Sequence, residues 1–191
     1  LLFEADGLLS VGAGGEAKTW VLKYNQLEPP EHPQGITQAK FKEKIEELSG
    51  GEIKVQVYAS GTLFTQTGEV TAMMNGDLEL STLAFQDMAP YVPTAAMFAA
   101  PYAFVSYEHM EKVFAKNSKV AADFYAMISD KCNYTPLAAM TQGSRNLNVK
   151  KTTPVKTPED MKGVNLRMPN APSWIDAGKS LGANVTPIAY S

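Results

Sequence analysis

The stretch Thr157–Ser191, TPEDMKGVNLRMPNAPSWIDAGKSLGANVTPIAYS, decides the fold, because it reads as a short helix, a strand and a second helix in quick succession. Thr157 suits a helix N-cap, with Pro158 at the first helical position and Glu159 and Asp160 in the first turn. Gly163 suits a left-handed C-cap. Val164, Leu166 and Met168 then alternate with Asn165 and Arg167, which predicts a strand ending at Pro169. A helix is predicted from about Ala171 to Leu181, stopped by Gly182. Arg167 therefore stands at a strand end before a turn, with Asn170 close by. A planar guanidinium fixed there suits two-point recognition of a carboxylate. The plainer alternative is a solvated arginine, or one loosely paired with Glu159 or Asp160.

Working back along the chain, Trp20–Tyr24 predicts a first strand, followed by Asn25 and the proline-bearing loop LEPPEHPQG. A helix over residues 34–48 places Phe41, Ile45 and Leu48 on one face. Ile53, Val55 and Val57 alternate with Lys54, Gln56 and Tyr58, the clearest strand of all. A helix over 66–74, ended by Asn75-Gly76, leads to a further strand, LELSTLA. This strand–helix alternation predicts an α/β unit with a largely parallel sheet. Beyond Pro90, Pro93 and Pro101, a helical stretch runs from Ser106 towards Asp130, broken near Asn117 and Ser118, and YTPLAAMT predicts another strand.

Composition narrows the function classes. With 191 residues, 45% of them hydrophobic, the chain is long enough for one large or two small domains. A net charge of −3 leaves no basic footprint for nucleic acid. The single cysteine, Cys132, excludes an internal disulfide and a multi-cysteine zinc site. No run of eighteen apolar residues predicts a membrane span. GAGGEA, from Gly12, lacks the last glycine of a dinucleotide loop, and QGSRN around Ser144 lacks the second glycine of a nucleophile elbow. His32 and His109 are far apart and without ligand-like spacing; His109 reads as a surface residue, and His32 sits in a loop where it could touch a ligand. No catalytic residue, metal ligand or cofactor is predicted.

EDMKGVNLRMPNA followed by GANVTPIAYS resembles the DctP-type solute-binding proteins of tripartite ATP-independent periplasmic (TRAP) transporters. HPQGITQAKFKEKIEELSGGEIKVQVYASGTL from His32, VTAMMNGDLELSTLA from Val70 and MFAAPYAFVSYEHMEKVF from Met97 resemble the same family. The likeness implies an α/β, two-lobed periplasmic-binding-protein-like fold with an incomplete second lobe, since members continue past the point matching Ser191. Residues 18–142 would form the first lobe and 143–191 the beginning of the second. Residues 1–17 read as a leader or a signal-peptide remnant, with Glu4 and Asp6 interrupting what should be an apolar stretch.

The resemblance also implies site residues. Arg167 matches the principal carboxylate anchor and Asn170 an amide beside it. Tyr190 matches an aromatic floor, with core packing as its alternative role. Arg145 matches a second arginine near the ligand, with a solvated hinge arginine as the alternative, and Asn25 matches an amide of the first lobe. Gln66, Phe85 and Gln86 join them by position, at a helix start and a strand's carboxyl end, where open α/β folds place ligands. Gln66, Ala84 and Asp87 depart from the sialic-acid branch, so an extended sugar acid is disfavoured against a smaller or more apolar acid. The implied function is capture of an organic acid between two lobes in the periplasm, for delivery to an integral-membrane TRAP permease driven by an ion gradient, with no membrane insertion of the chain itself. A small α/β enzyme acting on an organic acid, or the ligand-binding domain of a sensor, are the alternatives.

Overall fold

A computed structural model describes residues 19–150 and 152–188. Strand β1 (Trp20–Asn25) lies parallel to β2 (Ile53–Tyr58), in register from Trp20 opposite Ile53 to Asn25 opposite Tyr58. Helix α1 (Pro33–Leu48) makes the crossover between them. Helix α2 (Gln66–Asn75) then carries the chain over to β3 (Leu80–Ser81), which pairs in parallel with Tyr24 and Asn25. The sheet order is thus β2-β1-β3, an α/β arrangement with its strand carboxyl ends on one edge. β3 is shorter than the seven residues LELSTLA suggested, because it meets only the last two residues of β1.

The inward face of α1 is more polar than its apolar positions suggest. Gln34, Gly35 and Gln38 are its buried residues, while Leu48, at the helix end, is 74% exposed, contrary to expectation. The physical reason is the edge strand. Among the described residues β2 has no strand on its outer side, so the Glu46 carboxylate accepts the Val55 N–H at 2.9 Å and the Lys42 ammonium donates to the Val55 carbonyl at 2.6 Å. Gln38 Nε2 donates to the Tyr24 carbonyl at 3.1 Å, and Tyr24 meets Phe41 edge to face at 5.7 Å.

A second layer follows β3. Two 3-10 helices, Phe85–Met88 and Pro93–Ala99, precede α3 (Tyr107–Val113) and α4 (Lys119–Cys132). The break between α3 and α4 falls at the predicted place, and Ser118 Oγ caps α4 by accepting the Ala121 N–H. Ala121, Phe124, Ile128 and Cys132 form the buried stripe of α4, which packs on Met88, Val92 and Ala95.

Residues 134–150 carry no helix or strand, and 141–150 are exposed throughout. The strand predicted for YTPLAAMT is therefore not formed. No described strand lies beside it to complete a ladder, and Pro136 removes one of its donors.

The last part of the chain builds a second α/β unit. A 3-10 helix (Pro158–Met161) leads to β4 (Asn165–Met168), α5 (Pro172–Ser180) and β5 (Asn184–Pro187), with β4 and β5 parallel and Arg167 opposite Thr186. The Asp160 carboxylate reaches back to accept the N–H groups of Lys156 and Thr157, both at 2.9 Å. Gly178 is where α5 presses on this sheet: a Cβ there would lie 2.7 Å from Val185 Cγ2, 3.2 Å from Met168 Cγ and 3.4 Å from Leu166 Cδ2. Gly178→Ala should cost about 1–3 kcal/mol through overpacking, read as a lower urea midpoint with an unchanged slope.

Leu166 and Met168 thus point at α5. Because strand side chains alternate, Arg167 points to the opposite face, away from the helix.

Candidate functional site

The carboxyl ends of β1 and β3 and the start of α2 meet on one edge of the first sheet. Asn25, the last residue of β1, is fully buried there. Its Oδ1 accepts the Phe64 N–H at 3.1 Å, and its Nδ2 donates to the Phe64 carbonyl at 3.1 Å and to Glu69 Oε2 at 2.8 Å. Both ends of this amide hold the loop before α2 against the sheet, so Asn25 braces the edge. Ser81 Oγ donates to the same Glu69 oxygen at 2.7 Å. Glu69 is 1% exposed and its Oε1 has no partner among the described residues. Burial pushes its carboxyl from the usual 4.5 up to about 7, against the pull of Ser81 and Asn25, with Asp87 and Glu28 adding to the rise.

Gln66, the first residue of α2, donates through Nε2 to Asp87 Oδ2 at 3.1 Å. Asp87 lies on the 3-10 helix that follows β3. Burial raises its carboxyl above the ordinary range, while the Gln66 hydrogen bond and the positive charge of Arg145 pull it back. Arg145 itself lies over the Trp174 ring, its guanidinium carbon 4.5 Å from the centroid, a cation–π contact that joins the connecting segment to α5. Arg145 thus ties the connecting segment to α5, and its charge acts on Asp87 of the first unit.

The other predicted positions separate. Phe85 stacks on Phe114 at 5.3 Å and meets Phe124 edge to face at 5.1 Å, so its ring belongs to the aromatic core between the 3-10 helices and α4. Gln86 is buried beside it. Arg167 and Asn170 are exposed, and among the described residues neither side chain makes an ion pair or a hydrogen bond. The pairing of Arg167 with Glu159 or Asp160 is absent, Asp160 being occupied with the backbone N–H groups of Lys156 and Thr157. Tyr190 lies outside the described residues, as does the leader segment 1–17.

His32 caps α1 by accepting the Gln34 N–H at 3.3 Å, and with Gln34, Thr37, Met140, Thr141 and Gln142 it lines a cleft of about 170 Å³. Gln142 Nε2 donates to Glu28 Oε1 at 3.3 Å, which fastens the connecting segment to the first loop. His109 is half-buried, its ring 5.7 Å from that of Phe104.

Trp174 and Asp87 were not among the predicted site residues. Trp174 sits in the first turn of α5, four positions after Asn170, and an aromatic at the start of a helix that follows a strand end was the available signal.

Two α/β units, each with parallel strands, make up a two-lobed α/β fold, with Arg167 and Asn170 uncommitted among the described residues at the carboxyl end of a second-unit strand. The chain belongs to the DctP family, described as bacterial extracellular solute-binding protein, family 7, whose pattern matches residues 24–191. A solute-binding protein of Roseobacter denitrificans is 30% identical over 175 residues, covering 92% of this chain and 52% of that protein. The C4-dicarboxylate-binding protein DctB of Bacillus subtilis is 29% identical over 163 residues, covering 85% of this chain and 45% of its own length. A TRAP periplasmic solute-binding protein of R. denitrificans solved with bound 3-deoxy-D-manno-oct-2-ulosonic acid superposes with a TM-score of 0.81 at 31% identity, over 91% of this chain and 56% of that one. Another from the same organism, with bound L-galactonate, superposes with a TM-score of 0.82 at 28% identity, again over 91% and 56%. The chain spans about half the length of these relatives. The family and its solved members bind substrates for transport and are not enzymes, which removes the enzyme alternative.

Proposed function

We propose that the protein captures an organic acid between its two lobes, outside the cytoplasm, and presents it to a membrane permease driven by an ion gradient. The observation that carries this reading is Arg167, uncommitted among the described residues and on the face of β4 turned away from α5, with exposed Asn170 two residues beyond the strand. A guanidinium without a partner among the described residues, on a strand whose backbone is fixed by its ladder, offers a planar fork to a carboxylate. Gln66 and Asp87 stand at the carboxyl edge of the first sheet, the location ligands occupy in open α/β folds. In this reading Tyr190 floors the site, as the family resemblance implies, while Asn25 and Phe85 hold the edge in place. Closing the lobes removes water and strengthens the arginine–carboxylate contact in the lower dielectric.

Periplasmic residence and the permease partner come from the family, and the solved relatives with bound sugar acids support the carboxylate class. Among the described residues no helix is long and apolar enough to cross a membrane; the membrane component of this scheme is the permease that the family implies.

Thermal unfolding of the natural full-length protein against a panel of organic-acid anions tests this. At a hundredfold excess over Kd, linkage gives about 2.7 kcal/mol of stabilisation, a shift of several degrees. Cooperative melting with no shift for any acid would contradict the proposal.

A further inference from the structure

The segment joining the two units is tied to both of them at neighbouring points. On the first unit, Gln142 Nε2 donates to Glu28 Oε1 at 3.3 Å, in the loop that follows β1. On the second, the Arg145 guanidinium carbon lies 4.5 Å from the centroid of the Trp174 ring. The helix that carries Trp174 also lies against the first unit's 3-10 helix Pro93–Ala99. Arg145 therefore stands where the two units meet. Among the described residues its N–H groups make no hydrogen bond and no ion pair, so its five donors are unspent.

The backbone under Arg145 does not fix its side chain, since residues 141–150 are exposed and carry no helix or strand. Trp174 is fixed. It stands in the first turn of α5, its backbone N–H donating to the Ala171 carbonyl at 3.1 Å, and α5 is pressed on β4 and β5 at Gly178. The indole N–H does not account for a tryptophan here, because Nε1 is sealed from the surface without an acceptor among the described residues. The ring face is the part of the side chain that has a polar partner. Resting on the carboxylate-capture reading above, we infer that Trp174 is a positioning residue: its ring is the platform that holds Arg145 at the junction of the units, where the unspent N–H groups meet the captured anion. Ordering that side chain before the anion arrives removes an entropy cost from binding. A guanidinium on an aromatic face keeps its full charge and its fork of donors.

The experiment is a double-mutant cycle on the full-length protein. It is read by calorimetry with the anion that gives the largest melting shift among lactate, succinate, gluconate and benzoate. Arg145→Ala should weaken binding by about tenfold. Trp174→Leu should weaken it by about fivefold, and Trp174→Phe, which keeps a ring face and discards the unpaired N–H, should recover affinity to within about twofold of wild type. In the Arg145→Ala background, Trp174→Leu should change affinity by less than about 1.5-fold, because no guanidinium is left to hold. An equal loss from Trp174→Leu in both backgrounds would show that the ring acts without Arg145, and would overturn the inference. Wild-type affinity in Arg145→Ala would overturn it too, and leave carboxylate capture standing. That arm decides the matter even where Trp174→Leu fails to fold, because Arg145 is exposed and carries no hydrogen bond from a described residue. Binding of none of these anions, nor of any other acid in the melting panel, would remove capture itself and the inference with it.

Discussion

Arg167→Ala is expected to weaken acid binding at least a hundredfold, about 2.7 kcal/mol, with the fold intact. A charge-assisted hydrogen bond contributes about 1.5–3 kcal/mol net, and a guanidinium offers two of them in parallel. The variant is unusually clean as a test. Arg167 is exposed and pairs with no described side chain, and its place in β4 is held by the backbone ladder opposite Thr186. Its removal should therefore move the urea midpoint by no more than a surface substitution does, within about 0.5 kcal/mol. Arg167→Lys should also bind weakly, because an ammonium offers charge without the planar fork. Calorimetry on both variants checks the affinity, and urea unfolding checks the fold. Wild-type affinity in a folded Arg167→Ala protein would remove Arg167 from the site.

The second large effect is expected from Glu69. Its carboxyl sits at about 7 in the folded protein against 4.5 ordinarily, with burial as the main cause. The folded state therefore holds this proton more tightly than the unfolded state. The stability it confers is fully present below about 4.5 and is lost as pH rises through about 7. A shift of this size corresponds to roughly 3 kcal/mol. Glu69→Gln retains an oxygen to accept from Asn25 and Ser81 but cannot ionise. Between pH 5 and pH 9 the wild type should therefore lose roughly 3 kcal/mol of stability relative to the variant. Urea midpoints of the two proteins at both pH values measure this, and parallel pH profiles would show that Glu69 does not titrate within this window. Asn25 and Ser81 join β1 and β3 through this carboxyl, so its ionisation loosens the edge that positions Gln66 and Asp87.

The elements that the sequence made legible are those in which local pattern and final packing agree. Ile53 and Val55 alternate with Lys54 and Gln56 because one face of β2 is covered there, although Val57 is 38% exposed, and Ser118 marks the α3–α4 break because its hydroxyl caps the second helix. The readings that failed depended on a partner from elsewhere in the chain. YTPLAAMT has the apolar content of a strand but no strand beside it, and Leu48 has the spacing of a core residue at a position where α1 has ended. The polar inner face of α1 was illegible for a similar reason: Lys42 and Glu46 serve the open edge of β2, which only the sheet order reveals.

The candidate site divides along the same line. Arg167 and Asn170 were visible as a strand-end pair because nothing nearby in sequence competes for them. Asn25 sits at the strand end where position would put a ligand contact, yet its amide is spent on Phe64 and Glu69, contacts 39 and 44 residues away. Phe85 likewise stands at a strand's carboxyl end, but four other rings surround it. Trp174 acquires meaning only when Arg145, 29 positions earlier, lies on its face.

The most direct test of carboxylate capture changes the ligand and leaves the protein alone. Full-length protein should be titrated calorimetrically with whichever acid of the melting panel gives the largest shift and with its neutral methyl ester, which keeps the rest of the molecule and removes the charge. The account predicts one site for the acid and at least a hundredfold weaker binding of the ester, about 2.7 kcal/mol. Equal affinity for the two would mean that the ligand is not held by its carboxylate, and would contradict the account at its centre.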